Sequence, residues 1–317
     1  MPDPAIAIRG VCKSYGSTQA VRDLDLTVPI GSVCGFLGPN GAGKSTTIRM
    51  VMSIIYPDRG TIEVLGSDAL HNKDRIGYLP EERGLYRKMR VADYLHYIAR
   101  LKGIDAPEAK RRVADWLEKI QLPGVNRKKC QELSKGMQQK VQFLAAVIHE
   151  PDLIILDEPF SGLDPVNSAL LNQLIRELHG LGRTIIFSTH VLHQAELICD
   201  RFFLINKGVK LLDATLAEIR ARFDPRTIVA EPLNGAADFA SIPGVVRAEP
   251  MPETGAWELE LEGNADRQDV LRHIVARCSV RSVELRRLTM EEVFIRLVMA
   301  DRGAEAARTA REELSRE

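Results

Sequence analysis

The sequence predicts an α/β fold, with a phosphate-binding loop between a buried strand and a helix, followed by a small C-terminal α+β domain. Residues 32–37 are small or apolar, as in a buried strand, and residues 47–55 carry apolar side chains at helical spacing. The apolar runs at 153–156 and 184–187 are typical of parallel strands buried on both faces. Beyond about Leu216 the pattern changes to short alternating strands, which indicates a second domain.

The loop after the first buried strand reads GPNGAGKST and fits the phosphate-loop pattern G-x-x-x-x-G-K-[ST]. Its residues are Gly38, Pro39, Asn40, Gly41, Ala42, Gly43, Lys44, Ser45 and Thr46. The glycines let the backbone turn with its N–H groups aimed inward, and the following helix adds its positive dipole end. Lys44 would reach the β- and γ-phosphates, and Ser45 would ligate Mg²⁺. A chance glycine-rich turn is the alternative, but the flanking strand and helix favour a site for a nucleoside triphosphate.

Net charge, apolar runs and cysteine content narrow the classes of function that the protein can have. The 317 residues contain 43 basic and 43 acidic side chains, so the net charge does not suggest a nucleic-acid partner. The longest apolar run, residues 143–148, is far shorter than the ~20 residues of a membrane span. Without a signal-peptide core at the N-terminus, we expect a soluble, cytosolic protein. Its five scattered cysteines fit reduced thiols better than disulfides or a zinc site.

The N-terminal part alternates strands and turns. Residues 6–11 predict a strand that ends in a turn at 13–16, and residues 24–28 predict the return strand of a hairpin. Tyr15 in that turn can stack on an adenine ring, although an exposed tyrosine at a strand end is common. A further strand at 76–79 leads into Glu81.

The residues from about 91 to 149 have a helical pattern. Pro107 occupies a first helical position, and apolar residues that include Trp116 follow at helical spacing, so we expect Trp116 in the core. Ser134 and Asp164 are suited to cap the N-termini of two later helices.

Carboxylates follow the buried run at 153–156, as Asp157 and Glu158. Two carboxylates at the end of a buried strand are costly unless they serve an ion or a reaction; a solvated loop pair is the alternative. An Asp in this position holds Mg²⁺, generally through water, and the Glu after it can deprotonate an attacking water. His190 ends the next buried strand, at the sheet edge where α/β proteins bind nucleotides, and is a candidate γ-phosphate contact.

Five motifs in order resemble one family, the ATP-binding subunits of ABC transporters. Besides the phosphate loop, the chain has LSKGMQQK at 133–140, LIILDEP at 153–159, SGLD at 161–164 and STH at 188–190. The resemblance covers about residues 5–215. It implies a RecA-like core with an antiparallel β subdomain and a helical subdomain at about 88–150. It also implies ATP and Mg²⁺ as cofactors.

The resemblance further implies a mechanism. Two cassettes, as a homodimer or a mixed pair, bind head to tail, and Ser134 and Gly136 meet the γ-phosphate bound to the other subunit. Glu158 then resembles the catalytic base, His190 the γ-phosphate contact, and Asp164 a link between the two sites. Tyr15 resembles the adenine-stacking aromatic residue, and Lys44 is part of the catalytic machinery. Hydrolysis would drive a separate transmembrane permease, with this subunit peripheral on the inner face of the cell membrane.

The motifs depart from the usual family pattern at a few positions. Glu81 stands where the family usually has Gln, and Lys135 and Met137 replace Gly and Gln in the signature. Residues 77–86 resemble a branch of type 2 exporters, including sodium-efflux and drug-resistance pumps, in which Glu is ordinary at this position. The departures leave open a slow or regulatory ATPase that is not coupled to transport. A soluble ABC-type ATPase acting on ribosomes or DNA is disfavoured by the single cassette and the absence of a basic excess.

The C-terminal third predicts an accessory domain at 223–303, after an ATP-binding domain at 1–222 and before a charged tail at 304–317. Strands are predicted at 227–230, 245–248, 257–261 and 280–285, with helices at 270–276 and after a capping box formed by Thr289 and Glu292. This order suggests a ferredoxin-like domain, and it resembles the accessory domain of the same exporter branch. Regulation or support of the dimer is a hypothesis for its role.

Overall fold

The computed structural model describes residues 4–82, 84–233, 238–303 and 308. The chain divides into two compact units: the first runs to Leu216 and resumes at Phe294, and the second is Ala217–Val293. Arg83 and all of the predicted charged tail except Arg308 lie outside the described residues. Within the described parts of the chain, none of the helices combines the length and apolarity needed to cross a bilayer.

Strands and helices alternate along the chain. The strands are β1 Ile6–Tyr15, β2 Thr18–Val28, β3 Val33–Leu37, β4 Arg59–Val64, β5 Ile76–Leu79, β6 Leu153–Asp157, β7 Thr184–Thr189, β8 Arg201–Asn206, β9 Val209–Thr215, β10 Thr227–Pro232, β11 Val245–Met251, β12 Ala256–Leu261 and β13 Val280–Leu285. The helices are α1 Lys44–Val51, α2 Val91–Leu101, α3 Ala106–Lys119, α4 Lys135–Val147, α5 Pro165–Gly180, α6 Leu192–Glu196, α7 Leu216–Arg222, α8 Arg267–Arg277 and α9 Met290–Arg302.

The central sheet has the strand order β5-β6-β7-β3-β8-β9, with β9 antiparallel and the other strands parallel. Every residue of β3, β6 and β7 is buried, which explains their unbroken apolar sequences. The prediction of a buried parallel sheet is therefore confirmed. Because these strands run in one direction, the carboxyl ends of β5, β6, β7 and β3 meet along one edge.

A second sheet has the order β2-β1-β4 and is antiparallel throughout. Apolar residues from this sheet, from the central sheet and from α1 share one core, which includes Ile6, Phe36 and Ile48. The predicted turn at 13–16 is shorter in the structure, because Tyr15 still pairs with Thr18 and only Gly16 and Ser17 connect the strands. This sheet is the antiparallel β subdomain that the sequence predicts.

The helices begin largely where the sequence predicts them. Ser134 caps α4 by accepting a hydrogen bond from the Met137 N–H, and Asp164 caps α5 through the Asn167 N–H. The helix after the phosphate loop is shorter than expected and ends at Val51, because Ser53 adopts a left-handed backbone conformation with φ of 53°.

Trp116 on α3 is half-buried, so its predicted place in the core is wrong. Its ring packs instead under the Lys119 ammonium, 4.9 Å from the ring centroid, where a cation–π interaction is favourable.

The second unit contains an antiparallel sheet with the order β11-β12-β10-β13. This is the order of two interleaved β-α-β halves, as in ferredoxin-like domains. Among the described residues a 3₁₀ turn, Phe239–Ser241, stands in place of the first helix, and Phe239 joins Leu259 and Ile274 in the core. The capping box is present, since the Thr289 hydroxyl accepts from the Glu292 N–H and the Glu292 carboxylate accepts from the Thr289 N–H.

A Gly77→Ala substitution is expected to lower the free energy of unfolding by about 1–3 kcal/mol. Gly77 lies in β5, where α4 packs so closely that an added Cβ would lie 2.1 Å from the carbonyl oxygen of Ala146. Urea unfolding followed by circular dichroism measures the change. Gly180→Ala is the control, because a Cβ there would meet none of the described atoms within 4 Å. Equal stability of the two variants would contradict the close packing of β5 on α4.

Candidate active site

The phosphate loop bends sharply between β3 and α1, and its shape requires glycine at two positions. A Cβ on Gly38 would lie 2.1 Å from the Ile205 carbonyl oxygen, and one on Gly43 would lie 2.5 Å from that of Ala20. Gly43 also has a φ of 106°, which only glycine adopts readily. The Gly208 N–H donates to the Ala42 carbonyl at 2.9 Å, so the turn between β8 and β9 helps to hold the phosphate loop in place.

The side chain of Lys44 points back into this loop. Its Nζ donates to the carbonyl oxygens of Gly38 at 2.6 Å and Pro39 at 3.3 Å. The side chain is only 6% exposed, and Nζ lies 3.9 Å from Oε1 of Glu158. A buried ammonium is costly unless it is hydrogen-bonded and faces a negative charge, and this one has both.

Asp157, at the end of β6, is the more deeply buried of the two adjacent carboxylates, with 1% of its surface exposed. The Ser188 hydroxyl donates to its Oδ1. Burial raises the pKa of Asp157, the Ser188 hydrogen bond opposes the rise, and the nearby charges of Glu81 and Glu158 add to it. A bound cation would therefore stabilise the ionised form of Asp157.

Glu158 faces Lys44 and His190. The His190 backbone N–H donates to Glu158 Oε1 at 3.1 Å, and the ring Nδ1 lies 2.9 Å from the same oxygen. Glu158 has a left-handed φ of 48°, a conformation that is uncommon for a side chain of this size. Three residues that are far apart in the sequence therefore meet within hydrogen-bond or ion-pair distance.

Oxygen atoms suited to Mg²⁺ lie beside this group. The Ser45 hydroxyl lies 3.4 Å from Glu81 Oε2, and Asp157 ends the strand next to the one that leads to Glu81. Hydroxyl and carboxylate oxygens are the ligands that Mg²⁺ prefers, so the donor set fits this ion. In the part of the chain that the structure describes, no three His, Cys, Asp or Glu side chains cluster as a metal cage. Mg²⁺ commonly needs no such cage, since phosphates and water complete its coordination.

Tyr15 lies at the tip of the β1–β2 hairpin and is 51% exposed. Its strand partner, Thr18, precedes Ala20 by two residues, a distance of about 7 Å along a strand. The Ala20 carbonyl is the group that closely approaches Gly43 of the phosphate loop. The hairpin that carries Tyr15 therefore passes beside the phosphate loop at Ala20. Asn40 and Gly41 of the loop are exposed as well, whereas Thr46 is half-buried.

Ser134, Gly136 and Asp164 form a second group, at the starts of α4 and α5. Ser134 and Asp164 are exposed, and Gly136 lies close to Gly162 and Leu163 of the loop between β6 and α5. Hydrogen bonds from the Asn167 backbone and side chain lower the pKa of Asp164. The structure thus gathers Lys44, Ser45, Glu81, Asp157, Glu158 and His190 at one edge of the sheet, and places the signature residues on a separate surface.

Reasoning from the sequence missed two residues that shape the site. Ser188 holds Asp157 through its hydroxyl, and it also accepts a hydrogen bond from the Glu158 N–H, at 3.2 Å to its carbonyl oxygen. Gln139 is buried on α4 and donates to the Pro159 carbonyl at 2.9 Å. A polar residue at the end of an apolar strand was the available signal for Ser188; a polar residue on the inner face of a helix was the signal for Gln139.

This fold and this site define a phosphate-loop nucleoside triphosphatase. The ABC transporter family matches residues 21–161, and the C-terminal domain of the ATP-binding protein DrrA1-3-like family matches residues 215–298. The chain belongs to the ATP-binding proteins of ABC transporters, a family that hydrolyses ATP to drive transport.

Relatives and solved structures support this membership. An uncharacterized ABC transporter ATP-binding protein of Bacillus subtilis strain 168, YhaQ, is 37% identical over 93% of this chain and 99% of its own length. The daunorubicin resistance ATP-binding protein DrrA3 of Streptomyces coeruleorubidus is 33% identical over 97% of this chain and its full length. A solved ATP binding subunit of an ABC transporter is 32% identical, with a TM-score of 0.65 over 69% of this chain and 93% of that chain.

Asp157→Asn is expected to raise the free energy of unfolding at neutral pH, in the absence of nucleotide and Mg²⁺. Because the folded pKa of Asp157 is raised, the folded state binds more protons than the unfolded state as pH climbs from 3.8. The free energy of unfolding of the parent therefore falls as pH rises. The amide variant does not titrate at this position, so it keeps the stability that the parent loses. Urea unfolding at several pH values measures the difference, which shrinks towards pH ~4.

Asp164→Asn is the control with the opposite sign. A lowered pKa means that the Asp164 carboxylate stabilises the folded state above its unfolded pKa, and that this contribution is lost as pH falls through the folded pKa. Asparagine keeps a capping oxygen but not the charge, so this variant loses stability at neutral pH. A loss of stability for both variants at pH 7 would show that burial of the Asp157 charge is not costly.

Proposed function

We propose that this chain binds ATP with Mg²⁺, hydrolyses it, and so powers a separate membrane permease that exports its substrate. The observation that carries the proposal is the meeting of Lys44, Glu158 and His190 at the carboxyl edge of the sheet, with Nδ1 of His190 2.9 Å and Nζ of Lys44 3.9 Å from Glu158 Oε1. These are a cation for phosphate, a carboxylate base and a second polar contact, the parts that phosphoryl transfer requires.

Each group has a role that follows from its position. The N–H groups at the start of α1 and the ammonium of Lys44 bind phosphate oxygens and offset their charge. Glu158 accepts the proton of the attacking water, and His190 orients that carboxylate and contacts the γ-phosphate. Tyr15, exposed at the hairpin tip, stacks on the adenine ring.

Ser45 and Asp157 would hold Mg²⁺, and Glu81 would contribute a further oxygen. The ion supplies neutralisation of the charge that develops on the β- and γ-phosphates. Ser188 keeps the Asp157 carboxylate aimed at the site through its hydroxyl.

Two cassettes would pair so that α4 of one faces the phosphate loop of the other. Support comes from the exposure of Ser134 and Asp164, and from the N-terminus of α4, where a helix favours an anion. Ser134 and Gly136 would then contact the γ-phosphate held by the partner, and Asp164 would connect the two sites. A homodimer is the simplest such pair.

The permease would dock in a groove between α2, α4 and β5, with a volume of about 250 Å³. Leu70, Ile98 and Tyr94 give it apolar walls, and Lys102 contributes a positive charge. Gln142 and His149 also line the groove, and within the described chain their Oε1 and Nδ1 atoms are buried without a hydrogen-bond partner. With Lys102, these polar lining residues favour an occupant that has polar groups as well as an apolar face, as in a cytoplasmic segment of a permease.

This groove is next to the active site. Pro80 and Gly84 line it, and Glu81 between them contacts Ser45. A partner in the groove would therefore contact the loop that carries Glu81. ATP binding and permease docking could influence each other through this loop.

Export as the direction, and a place on the cytoplasmic face of the membrane, rest on the relatives. DrrA3 is named for daunorubicin resistance, and a Burkholderia orbicola relative, 37% identical over 66% of this chain and 70% of its own length, is named for Nod factor export. We extend to this chain the export of a compound, whose identity the permease would select.

Glu158→Gln tests the hydrolysis proposal. Turnover of ATP should fall by about 10²-fold or more, because an amide cannot accept the proton of water. ATP affinity should change little, and size-exclusion chromatography in ATP should show a stable pair of subunits. Glu63→Gln is the control, since Glu63 is an exposed residue of β4 that pairs with Arg9.

The outcomes separate the proposal from its alternative. Retained turnover in Glu158→Gln would remove Glu158 as the base. A parent chain that binds ATP but does not hydrolyse it, even with its permease, would favour a regulatory cassette. Lys135 and Met137, which depart from the usual signature, are the reason to consider that alternative.

Leu70→Asp tests the groove. A carboxylate in place of an apolar wall residue would be desolvated by the docked partner, so docking should weaken about tenfold or more, and basal turnover should stay unchanged. The measurement is ATPase activity in liposomes with the candidate permease, a neighbouring gene product with several ~20-residue apolar spans. Leu181→Asp is the control, because Leu181 is also exposed but lies on a different face, beside α3. Equal stimulation of both variants would place the permease elsewhere.

A further inference from the structure

The turn that carries Glu158 is strained and needs external support. Glu158 has a φ of 48°, and this conformation turns its carboxylate towards Lys44 and His190. Such strain persists only where surrounding contacts outweigh it. On the amino side, the Glu158 N–H donates to the Ser188 carbonyl at 3.2 Å and lies 3.3 Å from the Ser188 hydroxyl oxygen.

Gln139 supports the same turn on the carboxyl side. Its Nε2 lies 3.4 Å from the Glu158 carbonyl oxygen and donates to the Pro159 carbonyl at 2.9 Å. Gln139 is buried, so water does not compete for these carbonyls. The Ser161 N–H also donates to the Glu158 carbonyl, at 3.1 Å.

Gln139 lies on the helix whose exposed start carries the signature residues. Ser134 caps α4 five residues before Gln139, so one rigid helical segment bears both groups. The start of α4 also lies beside the loop after the turn, because a Cβ on Gly136 would be 3.5 Å from Cδ2 of Leu163 and 3.6 Å from the Gly162 carbonyl oxygen. A movement of this helix start would thus be transmitted to the Glu158 turn through the buried hydrogen bonds of Gln139 to the Glu158 and Pro159 carbonyls.

We propose that Gln139 is a positioning residue that ties the orientation of Glu158 to the state of the signature helix in the same chain. The inference rests on the proposed function, in which Ser134 and Gly136 contact the ATP of the partner while Glu158 acts on the ATP of its own chain. Gln139 touches neither nucleotide. It makes hydrolysis at one site depend on occupancy of the other.

Gln139→Met tests the inference, because methionine has a similar length but cannot donate a hydrogen bond. The matched control is Gln138→Met: Gln138 is the adjacent residue on α4, and its Nε2 donates to two carbonyls elsewhere, those of Cys130 at 3.3 Å and Leu133 at 3.0 Å. Both variants lose the same chemical group from one helix. Only Gln139→Met releases the Glu158 turn.

Two measurements on the full chain decide the matter. Amide hydrogen exchange at Ser161 should be faster in Gln139→Met than in Gln138→Met, and this readout needs no turnover. The kcat for ATP should fall about 10–100-fold in Gln139→Met alone, with KM, ATP affinity and Tm close to those of the control, because a small misplacement of the base slows the chemical step.

The outcomes distinguish the inference from the proposed function. Equal Ser161 exchange and equal kcat in the two variants would overturn the role of Gln139, while a parent that loses turnover on Glu158→Gln would leave the proposed function standing. A parallel drop in Tm, KM and kcat in Gln139→Met would show a merely structural role and would also overturn the inference. A parent that shows no turnover, even with its permease, would contradict the proposed function itself.

Discussion

A buried ammonium held beside two buried carboxylates is the interaction on which the rest of the active site depends. Lys44, Asp157 and Glu158 are each almost removed from water, and together they would be costly in an ordinary protein interior. The loop carbonyls of Gly38 and Pro39 and the hydroxyl of Ser188 offset part of that cost. Burial, reinforced by the charges of Glu81 and Glu158, raises the pKa of Asp157, so a bound cation would stabilise its carboxylate, as a metal-dependent nucleotide site requires.

The sheet order explains how these groups meet. β7 lies between β6 and β3, so His190 at the end of β7 is placed between the carboxylates after β6 and the loop after β3. The register pairs Asp157 with Ser188 across β6 and β7, which puts the hydroxyl where the carboxylate needs a donor. A shift of one residue in this register would turn Ser188 to the other face of the sheet and leave Asp157 without it.

Two surfaces extend from this centre towards partners. The groove beside Glu81 and the exposed start of α4 both involve α4, and each is joined to the site by a buried glutamine of that helix. Gln142 reaches the Glu82 carbonyl at 3.4 Å, and Gln139 reaches the turn of Glu158. α4 is thus the element through which a permease and a second cassette would both influence hydrolysis. Glutamine suits this role because its long amide can reach backbone carbonyls without adding a charge.

Local chemistry determined much of this protein from the sequence alone. The phosphate loop, the strand-end carboxylates, the helix caps at Ser134 and Asp164 and the capping box at Thr289 depend on residues close together in the chain, so their spacing reveals them. The order of the motifs likewise indicated the family. The end of α1, the half-exposed ring of Trp116 and the supports from Ser188 and Gln139 could not be read in this way. These features depend on which distant segments pack together: a contact such as that between Gln139 and Pro159 leaves no periodic trace in the sequence, and only the assembled sheet and helices bring the two groups within 2.9 Å.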